Sequence, residues 1–247
     1  MYHLGVAPGE LARVVLTCGD PARARKIAAR FDKVELTRRR REFVTVTGSY
    51  RGLRLSAMAT GIGPDNTAIA VIEAAQIEPN LTFIRLGSCG ALDEGLRLGD
   101  LVITSEALRL DGVTDLYAAK DLRALPSPRV LAALTAAAAE LGHPHKVGLT
   151  ATTCDFYAGQ ERIVPGFPHR CTGRLTRLKR LGALNFEMEM AVYLVLARVS
   201  TLNLSAGGVC AVFADRNRRE FASARERAAA EARCIDVGLR AAEILGG

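Results

Sequence analysis

Val14-Val15-Leu16-Thr17-Cys18-Gly19-Asp20-Pro21-Ala22-Arg23 is the stretch on which the fold turns. A short β-like run, Val14-Val15-Leu16, passes through Gly19 into Asp20-Pro21. An N-cap residue followed by a first-turn proline predicts a helix over Ala22 to Phe31. Outward from this junction the same alternation of short strands and helices continues. Phe43 to Tyr50 alternates with period two, and Arg51-Gly52 makes a hairpin turn into Leu53 to Ala59. A helix is expected from Thr67 to Gln76, and a buried strand from Phe83 to Leu86 that ends in Gly87. Leu101 to Thr104 and Val147 to Ala151 read as strands, with a helix from Pro128 to Leu141 between them, closed by Gly142. Met190 to Val199 and Ala222 to Leu245 are further helices, and Leu204 to Phe213 is largely a strand. Hairpins mixed with strand–helix crossovers imply an α/β fold: a central mixed β-sheet flanked by helices on both faces. Without linker, repeat or low-complexity tract, residues 1–247 are expected to form a single domain.

A chain of 247 residues, 49% hydrophobic and 24% charged, can bury a substantial core. Its apolar stretches are too short and interrupted to span a bilayer. Met1-Tyr2-His3-Leu4-Gly5 lacks the pattern of a secretion signal, so a cytoplasmic location is expected. Of the six cysteines (Cys18, Cys89, Cys154, Cys171, Cys210, Cys234), four lie in apolar or small-residue surroundings, as buried thiols of a reducing compartment do. No Cys or His spacing suits zinc, so no metal is expected, and His143-Pro144-His145 reads as a solvated loop. The net charge of +7 suggests anionic ligands. Its basic residues gather at Arg38 to Arg41, at Arg170 to Arg180 and at Arg216 to Arg219. They are not interleaved with aromatics, and Trp is absent, which disfavours a nucleic-acid partner. A non-catalytic nucleotide or RNA binder remains the alternative from another class.

Four clusters carry candidate chemistry. In the first, Gly19 admits close backbone approach, the helix start offers free N–H groups to an anion, and Arg23 adds a charged fork. The same residues also read as an ordinary N-cap with a surface Arg. In Ile84-Arg85-Leu86-Gly87-Ser88-Cys89-Gly90-Ala91, Arg85 interrupts an apolar strand. It must reach the surface, meet a buried anion, or be satisfied by a neighbouring carboxylate. Asp155-Phe156-Tyr157-Ala158-Gly159-Gln160-Glu161-Arg162 joins an amide and a guanidinium whose donors and acceptors match the O=C–N–H–C=O edge of a pyrimidine, with Phe156 available to cover the ring. In Asn185-Phe186-Glu187-Met188-Glu189-Met190 the two carboxylates fall on one side of an extended segment. They could bind vicinal hydroxyls, flank a glycosidic bond or face solvent.

Taken together, these clusters resemble the uridine phosphorylase branch of the hexameric nucleoside phosphorylase family. The similarity runs from His3-Leu4-Gly5 to about Phe221, and it includes Ala59-Thr60-Gly61-Ile62-Gly63. The resemblance implies a phosphate site at Gly19, Arg23, Arg85 and Ser88, with Ser88 where a Thr is usual. It implies that Arg41 and His3 cross from a neighbouring subunit, to phosphate and to the ribose 5′-hydroxyl. Met188 and Glu189 match ribose contacts, with Glu187 close by. Phe156, Gln160 and Arg162 match base contacts, and Arg216 matches a basic residue on a flap over the base. The implied activity is phosphate-dependent cleavage of the N-glycosidic bond of uridine, and of deoxyuridine. It needs no organic cofactor or metal, and the implied assembly is a homohexamer built as a trimer of dimers. Arg85, Glu189, Gln160 and Arg162 are the expected catalytic groups. Asp215 departs from the pattern: it stands where uridine-type members carry Asn and purine-type bacterial members carry a base-protonating Asp. Purine nucleoside phosphorolysis is therefore the second reading. Asn66 replaces the Ser beside which some bacterial relatives hold a monovalent cation, so no cation is expected.

Overall fold

In the computed structural model, which describes residues 1–246, ten strands form one sheet and six α-helices cover it. β1 (Val14–Cys18) lies between β4 (Leu53–Ala59) and β5 (Thr82–Ala91), parallel to both. That central position explains its apolar run: Val15 and Leu16 are completely buried. Asp20 caps α1 (Pro21–Ala28), accepting a hydrogen bond from the Ala22 N–H at 2.7 Å. The helix stops at Ala28 rather than at Phe31. The N–H groups of Arg30 and Phe31 bond three residues back, and that of Asp32 already pairs with the Ser49 carbonyl. Sheet pairing thus takes the chain before another helical turn can form.

That pairing starts β2 (Lys33–Arg40), an edge strand not anticipated from the sequence because nearly all of it is polar or charged and exposed. An edge strand needs no buried face, and its charges discourage pairing with another sheet. Arg38, Arg39 and Arg40 are solvated there, as expected, although as part of the sheet. β3 (Phe43–Tyr50) and β4 form the foreseen hairpin, with Tyr50 opposite Leu53. Arg51 and Gly52 both take positive φ, at 48° and 80°, which the two-residue turn requires.

Beyond α2 (Pro64–Ile77), β5 does not end at Gly87. It continues to Ala91, held by β9 and β8 past a register shift between Cys89 and Gly90. β6 (Leu101–Leu110) similarly outruns its expected end through a shift after Thr104. Then follow α3 (Pro128–Glu140), β7 (His145–Thr153), α4 (Arg174–Arg180), β8 (Ala183–Glu187), α5 (Met190–Val199), β9 (Ser205–Asp215), β10 (Glu220–Phe221) and α6 (Ala224–Gly246). The strand order is β10-β9-β6-β7-β8-β5-β1-β4-β3-β2, and β9 also pairs with β5. β5, β9, β6, β7 and β8 therefore close on themselves, while β1, β4, β3 and β2 extend from the closed part as an open wing.

One apolar core packs α1, α3 and α6 against the sheet, and a second packs α2 and α5 against the other face. Helices on both faces of a mixed sheet are the expected arrangement. Cys18, Cys89, Cys210 and Cys234 are the buried thiols, Cys154 is exposed and Cys171 half-buried. Among the described residues no helix is long and apolar enough to cross a membrane, and no cluster of three metal-ligating side chains occurs. Replacing the α1 cap, Asp20→Ala, should lower the unfolding free energy by about 1 kcal/mol in urea denaturation. An unchanged midpoint would show that the cap contributes nothing.

Candidate active site

The C-terminal ends of the parallel strands β1, β4, β5 and β9 open into a cavity of about 810 Å³, the usual place for a ligand in sheets of this kind. Gly19 and Gly61 bring two of these strand ends together: a Cβ on Gly19 would stand 2.9 Å from the Gly61 carbonyl oxygen. Arg23, in the first turn of α1, is buried in the wall. Its Nε donates to Glu231 Oε1 at 2.7 Å and its Nη1 to the Leu86 carbonyl at 3.0 Å. Ser88 lies across the cavity on β5.

Arg85, one residue group further down β5, is 3% exposed and meets two carboxylates rather than the surface. Its Nε donates to Glu187 Oε2 at 3.0 Å, and its Nη2 pairs with Glu189 Oε2 at 2.5 Å. Space for the guanidinium comes from two glycines. A Cβ on Gly87 would fall 2.9 Å from Arg85 Cζ, and one on Gly208 would fall 2.9 Å from Arg85 Cβ. Glu187, the last residue of β8, is held from several sides. Oε2 also accepts the Glu189 and Met190 N–H groups, and Oε1 accepts the Thr152 hydroxyl. Glu187 thus holds Arg85 and the start of α5, and it lines the cavity beside Met188 and Glu189, the other residues expected at the ribose. Glu189 Oε1 accepts the Gly63 N–H at 2.7 Å. Burial raises its carboxyl above the ordinary carboxylate range, against the pull of Arg85, and the neighbouring Glu187 pushes the same way as burial. Met188 lines the cavity between them.

At the other end stand Phe156, Gln160 and Arg162. Their loop follows β7 and is braced from several sides. Asp155 Oδ1 accepts the Gly159 N–H, Arg174 of α4 donates to the Gly159 carbonyl, and Glu161 accepts the Leu175 N–H. α4, read from the sequence only as a run of basic residues, is thus the buttress of this loop. The Arg162 guanidinium lies 4.1 Å from the Phe156 ring centre and 5.5 Å from that of Phe221 on β10. Arg216 Nη2 donates to the Gln160 carbonyl at 3.0 Å. Arg162 Nε and Arg216 Nη1 are buried with no hydrogen-bond partner among the described residues. Burial and then the Arg162 charge pull Arg216 down to about 10, and burial lowers Arg162 as well.

Arg216 lines an adjoining hollow that shares Arg162, Ala214 and Phe221 with the main cavity. Asp215 lines only that hollow. Its Oδ1 accepts the Asn217 and Arg218 N–H groups, closing the turn from β9 to β10, and its Oδ2 faces Arg218. The carboxylate for which a base contact was expected thus caps this turn and lines the adjoining hollow, not the main cavity. His3 and Arg41 are brought together away from this cavity. Tyr2 packs edge-on to His3 and lies 5.8 Å beneath the Arg41 guanidinium, and His3 Nδ1 is held by Glu73 at 2.7 Å. Glu42, beside Arg41 at the tip of the β2–β3 hairpin, does face the cavity, as do Phe186, Phe213, Phe221 and Arg227. Phe186 lies inside the cluster from Asn185 to Met190, and Phe221 stands next to the Arg216 to Arg219 run. No motif pointed to Phe213 or Arg227, and Glu42 was marked only as the neighbour of Arg41.

A family model described as the phosphorylase superfamily matches residues 13–242. The chain belongs to the phosphorylase superfamily. Among its relatives in that superfamily, a uridine phosphorylase of Thermococcus kodakarensis is 42% identical over 233 residues, covering 93% of this chain and 82% of that protein. A uridine phosphorylase of Escherichia coli is 33% identical over 254 residues, covering 99% and 98%. A guanosine phosphorylase of Halorubrum lacusprofundi is 32% identical over 210 residues, covering 85% and 81%.

Arg85→Met leaves two buried carboxylates without their cation, and should cost about 3–5 kcal/mol of stability at neutral pH. The Glu189 carboxyl, raised by burial and no longer pulled down by Arg85, then titrates further above its unfolded value, so the folded state binds more protons. Stability should fall as pH rises through the folded pKa and return as pH is lowered. Thermal unfolding between pH 8 and 5, in phosphate-free buffer, checks this. A variant whose pH dependence runs parallel to the wild type would exclude the ion-pair account.

Proposed function

We propose that this chain is a uridine phosphorylase, transferring the ribosyl group of uridine, and of deoxyuridine its deoxyribosyl group, to inorganic phosphate. The observation that carries the reading is that Arg162 and Arg216, which both bond Gln160 through Nη2, each keep a buried guanidinium N–H group without a partner among the described residues. Cations held without a counter-charge at the base end suit a leaving group that departs as an anion. A uracil anion spreads its charge over N1, O2 and O4, where Gln160 and Arg162 can donate. The uridine phosphorylase names of several relatives agree with this choice.

At the opposite end Arg23 and Arg85 orient phosphate, with Gly19 and Ser88 completing the cradle. An oxygen of phosphate forms the new bond to C1′ as the C1′–N1 bond breaks, and the bonding electrons leave with the base. Glu189 and Met188 hold the ribose. Phosphate's own charge lies against the positive charge that develops on the sugar, so the reaction needs neither metal nor organic cofactor. Free thiols at all six cysteines suit a cytoplasmic enzyme.

The purine reading rested on Asp215, whose carboxylate is occupied by the β9–β10 turn; the guanosine phosphorylase relative keeps it worth measuring. Purified protein with uridine and phosphate should yield uracil and ribose 1-phosphate, with no turnover when phosphate is omitted. Faster release of guanine or hypoxanthine from guanosine or inosine would reverse the assignment. Arg162→Ala should lower kcat/KM by about 10²–10³-fold, whereas Asp215→Asn should leave the uridine-to-inosine preference unchanged.

His3 and Arg41, side by side but off the cavity, complete the site only when a neighbouring copy presents them, so the enzyme works as a homo-oligomer, a hexamer arranged as a trimer of dimers. Mixing two inactive variants, Arg41→Ala and Glu189→Gln, should restore activity, since some sites would then draw both wild-type residues. Full activity in a monomeric sedimentation fraction would rule out shared sites.

A further inference from the structure

Glu231 stands in the middle of α6, the last helix, 208 residues along the chain from Arg23, and no sequence motif marks it. Its side chain is only 8% exposed, as is that of Arg23, and the two are joined at 2.7 Å. Its other oxygen takes the Lys26 ammonium, which is half in solvent. Arg23 is also held by the Leu86 carbonyl at 3.0 Å and by the Phe213 ring, 5.7 Å from the guanidinium carbon. Nε and one N–H of Nη1 are thereby committed. The remaining donors of the five on a guanidinium stay available on the cavity side of the group.

We infer that Glu231 is a positioning residue for inorganic phosphate, acting through Arg23. This inference rests on the reading of Arg23 as a phosphate contact. A guanidinium as deeply buried as that of Arg23, unlike the half-buried Arg162 and Arg216, requires a counter-charge whenever the cavity is empty. It also requires a fixed plane if its free N–H groups are to meet phosphate oxygens in fork geometry. Glu231 supplies both, from the helix that also brings Arg227 to the cavity. Lys26 keeps the balance favourable. One carboxylate shared by two cations leaves the trio with a net positive charge, so compensating Arg23 does not cancel its attraction for phosphate. Arg85, by contrast, faces two carboxylates of its own, which leaves Arg23 as the phosphate arginine with surplus charge.

Steady-state kinetics on the intact enzyme, varying phosphate and uridine separately, test this. Glu231→Gln should raise the phosphate KM on the order of tenfold, with the uridine KM changed less than twofold. Glu231→Asp, which keeps the charge but shortens the reach, should fall between. In the double variant Arg23→Gln/Glu231→Gln the phosphate KM should match that of Arg23→Gln alone, because a residue acting through Arg23 has nothing left to act on. A purely structural Glu231 would lower the melting temperature, leave the phosphate KM unchanged in both single variants, and so overturn the inference. An Arg23→Gln enzyme with an unaltered phosphate KM would instead refute the placing of phosphate at Arg23. If Glu231→Gln fails to fold, Glu231→Asp alone decides: a phosphate-specific KM increase supports the role, and its absence removes it.

Discussion

The buried ion pairs of Arg85 organise this molecule more than any other interaction. A guanidinium in the middle of a sheet cannot be left unpaired, and satisfying it constrains four elements at once. β5 must carry Gly87 and β9 must carry Gly208, because side chains there would collide with it. β8 must end at Glu187, and α5 must begin directly after Glu189. Glu189 in turn reaches the Gly63 N–H at the start of α2. A helix from one face of the sheet, three strands from its closed half and the loop after β4 thus meet around one cation. The cavity is the space left beside them.

That arrangement separates two kinds of charged group. Glu187, although it lines the cavity, spends most of its hydrogen bonds on the protein's own framework. Glu189 keeps a raised carboxyl through burial, at the edge of the cavity. Among the arginines, Arg85 is heavily compensated, Arg23 is compensated by a shared carboxylate, and Arg162 and Arg216 have no carboxylate partner among the described residues. Arg162 and Arg216 have rings and a carbonyl beside them, Phe156, Phe221 and the Gln160 main chain, that can stabilise a cation without neutralising it.

Much of the fold was legible because its central strands are buried on both faces and so announce themselves as apolar runs, and because Asp20-Pro21 and Arg51-Gly52 are local signals with local causes. What escaped the sequence shares one physical character. β2 is an exposed edge with no face to alternate, α4 is a short helix of nearly all basic residues, and β10 is two residues long. Each is fixed by tertiary pairing rather than by its own pattern. The site divides similarly. Residues embedded in glycine-rich turns or paired carboxylates stood out. Glu231, Glu42 and Phe213 did not, since Glu42 and Phe213 reach the cavity, and Glu231 reaches Arg23, from elements whose sequence describes only their packing. Asp215 shows the converse: an acidic residue at a meaningful position whose oxygens the β9–β10 turn consumes.

Under the proposed reaction, charge moves from one end of the cavity to the other. Phosphate brings negative charge to Arg23 and Arg85 and gives some of it up as its bond to the sugar forms. The base gains negative charge as its bond breaks, where Arg162 and Arg216 wait without counter-ions. Stabilising that transfer depends on the second pair remaining unsatisfied in the ground state, because a cation already neutralised by a carboxylate gains little when the base becomes anionic. Burial makes the arrangement expensive, as the depressed proton affinity of Arg216 shows. The loop from Asp155 to Arg162 is braced where that cost falls: Arg174, Glu161 and Asp155 hold its backbone in place. The short basic helix α4 therefore contributes to chemistry it never touches, by fixing the loop that carries one of the guanidinium groups.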